Sequence, residues 1–186
     1  MFDFIFSRRM FFKASLACVL LFADFDPALA NLPTMENLPE GKISFYNTHS
    51  KERLTVDYRD QEGNYIPDAL KSLNWILRCN YTGEVANMDI KVIEYLNLVD
   101  KKLGGGNEIH IISGYRSPSY NHMLREKSRQ VAKHSLHMKA KAIDVAIPGV
   151  ALDKLRHTAL NLKYGGVGYY PGAGFVHLDS GSFRTW

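Results

Sequence analysis

A chain of 186 residues, 46% hydrophobic and 23% charged with a formal net charge of +4, is long enough to bury a core without disulfide staples. This composition excludes a disordered or collagen-like chain. The mild positive balance is scattered without stacking aromatics between the basic residues, which argues against nucleic acid as a partner.

At the start, Ser7-Arg8-Arg9-Met10-Phe11-Phe12-Lys13 leads into the largely apolar run Ala14 to Ala23 and the small-residue stop Ala28-Leu29-Ala30. That order predicts a cleavable signal peptide over residues 1–30. Its charged part resembles the twin-arginine (Tat) export signal, with Phe12 in place of the usual leucine, which makes the Tat machinery a partner and the periplasm the destination. The apolar run covers about half of the roughly 30 Å hydrocarbon core that a spanning helix must cross, so no stable membrane anchor is expected after cleavage. Loss of Arg8, Arg9 and Lys13 against Asp3, Asp24 and Asp26 leaves the balance at +4. Cys18 goes with the signal, and the remaining Cys79 sits on an apolar helix stripe as a buried structural thiol.

Residues 31–41 carry prolines and no periodicity and read as a flexible lead, so the folded domain is expected over 42–186. Lys42–Asn47 and Arg53–Arg59 are β-prone runs around a polar turn, and Glu62-Gly63-Asn64 marks another turn. Apolar residues from Ile66 to Cys79 recur at helical spacing with Pro67 in the first turn. Asn87 is positioned to cap a second helix with the stripe Val92, Ile93, Leu96, Val99 and Leu103, closed by Gly104-Gly105-Gly106. A strand from Glu108 to Ser113, a polar helix from Ser119 to Arg129, a strand from Ala142 to Ile147 and a helix from Leu152 to Leu162 follow. Val167–Tyr170 and Phe175–Asp179 are the last two strands. The order predicts an α+β fold, with helices packed over a small, mainly antiparallel sheet.

Zinc takes imidazole nitrogen and carboxylate oxygen, with three protein ligands and a water in catalytic sites. His137-x6-Asp144, followed by His177 in Phe175-Val176-His177-Leu178-Asp179, supplies two histidines and one acid. Residues two apart on a strand share a face, so Asp179 offers a second carboxylate beside His177. With seven histidines and nineteen acids in the chain, spacing alone does not single out this triple.

Its surroundings do. Ser113-Gly114-Tyr115-Arg116-Ser117, Ser135-x-His137-x6-Asp144, Gly165-Gly166-Val167-Gly168-Tyr169-Tyr170-Pro171, Phe175-Val176-His177-x-Asp179 and Arg184-x-Trp186 occur in this order. The pattern resembles the YcbK-like proteins, relatives of the zinc D,D-carboxypeptidases VanX and VanY and of murein endopeptidases. That resemblance implies a hedgehog-type, D,D-peptidase-like fold and action on peptidoglycan peptides in the periplasm. It also implies one zinc ion held by His137, Asp144 and His177, with Arg116 donating to the substrate carbonyl or carboxylate. A monomer is expected.

Two departures matter. The family motif His-x-x-Gly-x-Ala-x-Asp has Ala140 at the glycine position, where a positive φ would strain the loop by about 1 kcal/mol. Several relatives also carry a glutamate shortly before the last histidine, whereas this chain has Pro171-Gly172-Ala173-Gly174. Asp179 is therefore the expected water-activating group, with orientation of a zinc ligand as its other role. The alternative function is a zinc-containing peptidoglycan-binding module without turnover.

Overall fold

The computed structural model describes residues 38–128 and 131–186; the expected signal peptide at 1–30, most of the expected lead at 31–41, and Arg129 at the expected end of the polar helix lie outside them. Seven strands form one sheet in the order β2-β1-β3-β4-β6-β5-β7. They are β1 (Lys42–Asn47), β2 (Arg53–Asp57), β3 (Glu108–Ser113), β4 (Ala142–Ala146), β5 (Gly166–Tyr170), β6 (Phe175–Asp179) and β7 (Arg184–Thr185). The helices are α1 (Pro67–Ile76), α2 (Ile90–Lys102), α3 (Pro118–Lys127) and α4 (Leu152–Leu162). Only β1 with β3 and β5 with β7 run parallel. The expected mainly antiparallel α+β architecture is therefore present, and no helix among the described residues is long and apolar enough to cross a membrane.

In β1 burial alternates, with Ile43, Phe45 and Asn47 inward, as expected of a strand covered on one face. In β4, by contrast, four successive residues from Ala142 are buried. This central strand is covered on both faces, which is why its apolar run lacks a period of two. Each fully buried side chain such as Phe45, Leu96, Ile143 and Leu178 contributes about 1.5–3 kcal/mol by leaving water.

Helix α2 is the core's axis, buried without interruption from Val92 to Asp100. Among its polar members, Glu94 accepts from the Tyr58 hydroxyl at 2.9 Å and from Arg59 Nε at 3.1 Å, while Asn97 donates from Nδ2 to the Glu40 carbonyl at 2.9 Å and leaves its Oδ1 unpaired. Several boundaries differ from the sequence expectation, among them β4, which ends at Ala146, β5, which starts at Gly166, and α3, which starts at Pro118. The cap of α2 is Asp89, whose carboxylate accepts from the Lys91 N–H at 3.0 Å, while the Asn87 side chain accepts from Asn74 Nδ2 at 3.1 Å. Helix α1 stops at Ile76, before Cys79, because the Leu77 carbonyl turns to accept from the Tyr115 N–H at 2.8 Å. Strand β2 ends at Asp57, and Arg59 instead forms an isolated bridge with Tyr65. The short β7 was not anticipated.

Candidate metal centre

Strands β4 and β6 pair so that Asp144 lies directly opposite His177, and cross-strand partners point to the same face of a sheet. His137 arrives from outside the sheet on a 3-10 turn, Leu136–Lys139, and its own N–H donates to the capping Ser135 hydroxyl at 3.3 Å. The fold brings the three expected ligands together at 1%, 2% and 8% exposure for His137, Asp144 and His177. His137 Nε2 lies 3.1 Å from Asp144 Oδ1 and 3.1 Å from His177 Nδ1, and His177 Nδ1 lies 2.8 Å from the same oxygen.

The far side of each ring meets an acceptor. His137 Nδ1 is 2.7 Å from the Gly114 carbonyl, and His177 Nε2 is 3.2 Å from Asp179 Oδ2. A cation bound at the inner nitrogens would leave the outer N–H groups paired with these acceptors. The inner nitrogens and a carboxylate oxygen lie within 4.8 Å of one another. Two nitrogens and one oxygen are a donor set suited to zinc.

Burial pushes the His137 imidazole down, toward its neutral, metal-binding form. Burial opposes charge on Asp144 as well, but the adjacent imidazoles hold its carboxyl well below the usual carboxylate range. At His177 burial is outweighed by hydrogen bonds to Asp144 and Asp179, which raise it.

Arg116 is drawn into the ligand shell. Its Nε donates to Ser113 Oγ at 2.8 Å, Nη2 pairs with Asp144 Oδ2, and its backbone N–H donates to the His137 carbonyl at 3.2 Å. It also lines, with His134, Tyr170, Arg184 and Trp186, a cavity of about 430 Å³ that opens onto the ligands. Asp179 has another environment. It is 0% exposed, it accepts from Arg184 Nη1 and Nη2 at 3.0 and 2.6 Å, and the Gly181 N–H donates to it at 2.8 Å. Burial raises its carboxyl, but the hydrogen bonds from His177, Arg184 and Gly181 win and set it at about 2. The sequence reading attached no role to Gly114, Tyr170, Arg184 or Trp186, although all four lie within quoted motifs.

Gly114 is required by crowding. A Cβ there would sit 2.3 Å from the Leu77 carbonyl oxygen, and any shift would move the carbonyl that orients His137. Ala140 sits at φ 55, ψ 32, the left-handed conformation the motif glycine would favour, directly after the His137 turn. Ala140→Gly should therefore stabilise the domain by about 1 kcal/mol, seen as a higher urea midpoint with unchanged slope; an unchanged or lower midpoint would show that the turn is not strained.

The family described as peptidoglycan L,D-endopeptidase MepK, Peptidase M15_2, matches residues 38–186. The chain belongs to this family. A probable peptidoglycan L,D-endopeptidase MepK from Haemophilus influenzae is 42% identical over 154 residues, covering 82% of each chain. The peptidoglycan L,D-endopeptidase MepK of Escherichia coli K12 is 38% identical over 161 residues, covering 86% of each. The M15_2 match spans every residue of the metal centre and the cavity above it, and it bears out the resemblance carried by the motifs.

Proposed function

We propose that the chain is a zinc-dependent L,D-endopeptidase that hydrolyses an amide bond in peptidoglycan cross-links. The observation that carries this reading is the convergence of two imidazoles, each hydrogen-bonded on its far side, and a carboxylate at the floor of an open cavity. The relatives' names supply the bond type and the polymer. A bound zinc ion supplies Lewis acidity, polarising a scissile carbonyl and lowering the pKa of a water.

The chain's own residues do the rest. His137, Asp144 and His177 hold the ion. Arg116, already aligned by Ser113 and Asp144, directs its remaining N–H groups toward the developing oxyanion, where a fixed guanidinium needs no reorganisation. Asp179 orients His177 through Nε2. A carboxyl at about 2 is a poor proton acceptor near neutrality, and its oxygens are occupied away from the cavity. His134 is the remaining imidazole lining that cavity among the described residues. The signal at residues 1–30 supports Tat export to the periplasm, where the substrate lies.

Incubating the metal-loaded chain with intact sacculi, then separating the soluble fragments, tests this reading. Fragments cut at L,D bonds, and none after chelation, are expected; retention on sacculi without release would instead indicate a binding module. Asp179→Asn separates the two roles of that residue. As an orienting partner it should weaken metal affinity about 10–100-fold while the fully loaded variant still turns over; loss of turnover at full metal occupancy would make it the base.

A further inference from the structure

Trp186 is held beside the metal centre through both its backbone and its ring. Its backbone pairs with β5, the Tyr169 N–H donating to the Trp186 carbonyl at 3.1 Å and the Trp186 N–H donating to the Val167 carbonyl at 3.3 Å. Its ring stands 5.3 Å from that of His177, and the Arg184 guanidinium lies over it at 4.9 Å. Gly168 leaves room for it, since a Cβ there would meet the indole at 2.8 Å. Finally, the indole Nε1 donates to the Tyr170 hydroxyl oxygen at 2.7 Å.

That last bond decides what Tyr170 can do. An indole N–H only donates, so the Tyr170 oxygen is the acceptor and its own O–H remains to donate elsewhere. The phenol ring is held by stacking on Phe175 at 4.8 Å, and both Tyr170 and Trp186 line the cavity above the ligands. In strand order, β4 carries the Asp144 to which Arg116 is paired, β6 carries His177 and β5 carries Tyr170. The two donors therefore stand on either side of the β6 ligand.

We propose that the Tyr170 hydroxyl is a substrate-binding donor, aimed by the Trp186 indole, that takes a peptide carbonyl next to the scissile bond. Arg116 serves the reacting carbonyl, and Tyr170 fixes the register of the chain being cut. Trp186 is a positioning residue, acting through Tyr170. This inference rests on the endopeptidase reading above, which fails separately if the wild-type chain releases no fragments.

The test uses full-length, metal-loaded protein, a cross-linked muropeptide substrate and the variants Tyr170→Phe, Trp186→Phe and the double substitution. Tyr170→Phe should lower kcat/KM about fivefold to tenfold, the range for one hydrogen bond, mainly through KM. Trp186→Phe keeps an aromatic ring and should reproduce that loss, and the double variant should add nothing to either. Metal content should be unchanged throughout. In metal-free, nitrogen-15-labelled protein the indole cross-peak of Trp186 should shift in Tyr170→Phe while that of Trp75 stays, because Trp75 bonds Glu52 instead. Wild-type kcat/KM in Tyr170→Phe would overturn the proposal, as would additive losses in the double variant or an unmoved Trp186 cross-peak.

Discussion

Replacing His177 by alanine should remove the metal and the activity together. The wild-type chain, purified without added chelator or histidine tag, should carry about one zinc, and the variant none by elemental analysis. Loss of Lewis acidity worth several kcal/mol lowers turnover about a thousandfold or more. The same result is expected for Asp144→Asn, which keeps the shape of the side chain but removes the charge that anchors the cation. The pH dependence follows from His177, whose imidazole is raised above its ordinary value. Binding must displace that proton, so affinity strengthens as pH rises and occupancy falls as pH drops through the imidazole range. In the metal-free chain the protonated His177 is stabilising below the unfolded value of about 6.5, and that stability is lost as pH rises through the raised folded value. A metal-replete wild type and a metal-replete His177→Ala with equal activity would refute the site.

Arg116→Lys should retain zinc and lose about 10²–10³-fold in kcat, the effect of removing one preorganised oxyanion donor. Lysine keeps the charge beside Asp144 but not the planar fork that reaches Ser113, Asp144 and the cavity at once. Zinc content and unfolding midpoint separate this from a purely structural arginine. If activity falls only in step with metal content, the residue serves Asp144 alone; if activity is unchanged, it serves neither purpose.

The ligand triple was legible because the chemistry of zinc limits the residue types and the flanking motifs fix which copies of those types matter. Strand alternation put Asp179 on the face of His177, and its Oδ2 lies 3.2 Å from His177 Nε2, whereas the pairing of Asp144 with His177 needs the sheet register. What remained hidden depends on contacts between distant segments. The role of Asp179 turns on which nitrogen of His177 faces it and on Arg184, reaching back from β7. A two-residue strand such as β7 carries no periodicity to detect. The Asp89 cap displaced Asn87 because Asn87 is held by Asn74 on α1, a tertiary contact that no local pattern announces. Ala140 is the opposite case: the departure from the motif was visible in one residue, and the backbone there keeps the left-handed conformation despite the alanine.

The spacing of the ligands has a consequence for persistence. His137, Asp144 and His177 belong to the 3-10 turn, β4 and β6, so a bound ion would tie the neighbouring 3-10 turn and β4 to β6, 33 residues beyond Asp144. Cys79, the one free thiol among the described residues, has no partner with which to form a covalent link. A bound ion would thereby act as a cross-link, restricting the unfolded ensemble as a disulfide loop does. Global opening would then require the ion to leave, which ties the lifetime of the folded domain to the free concentration of that metal in its surroundings.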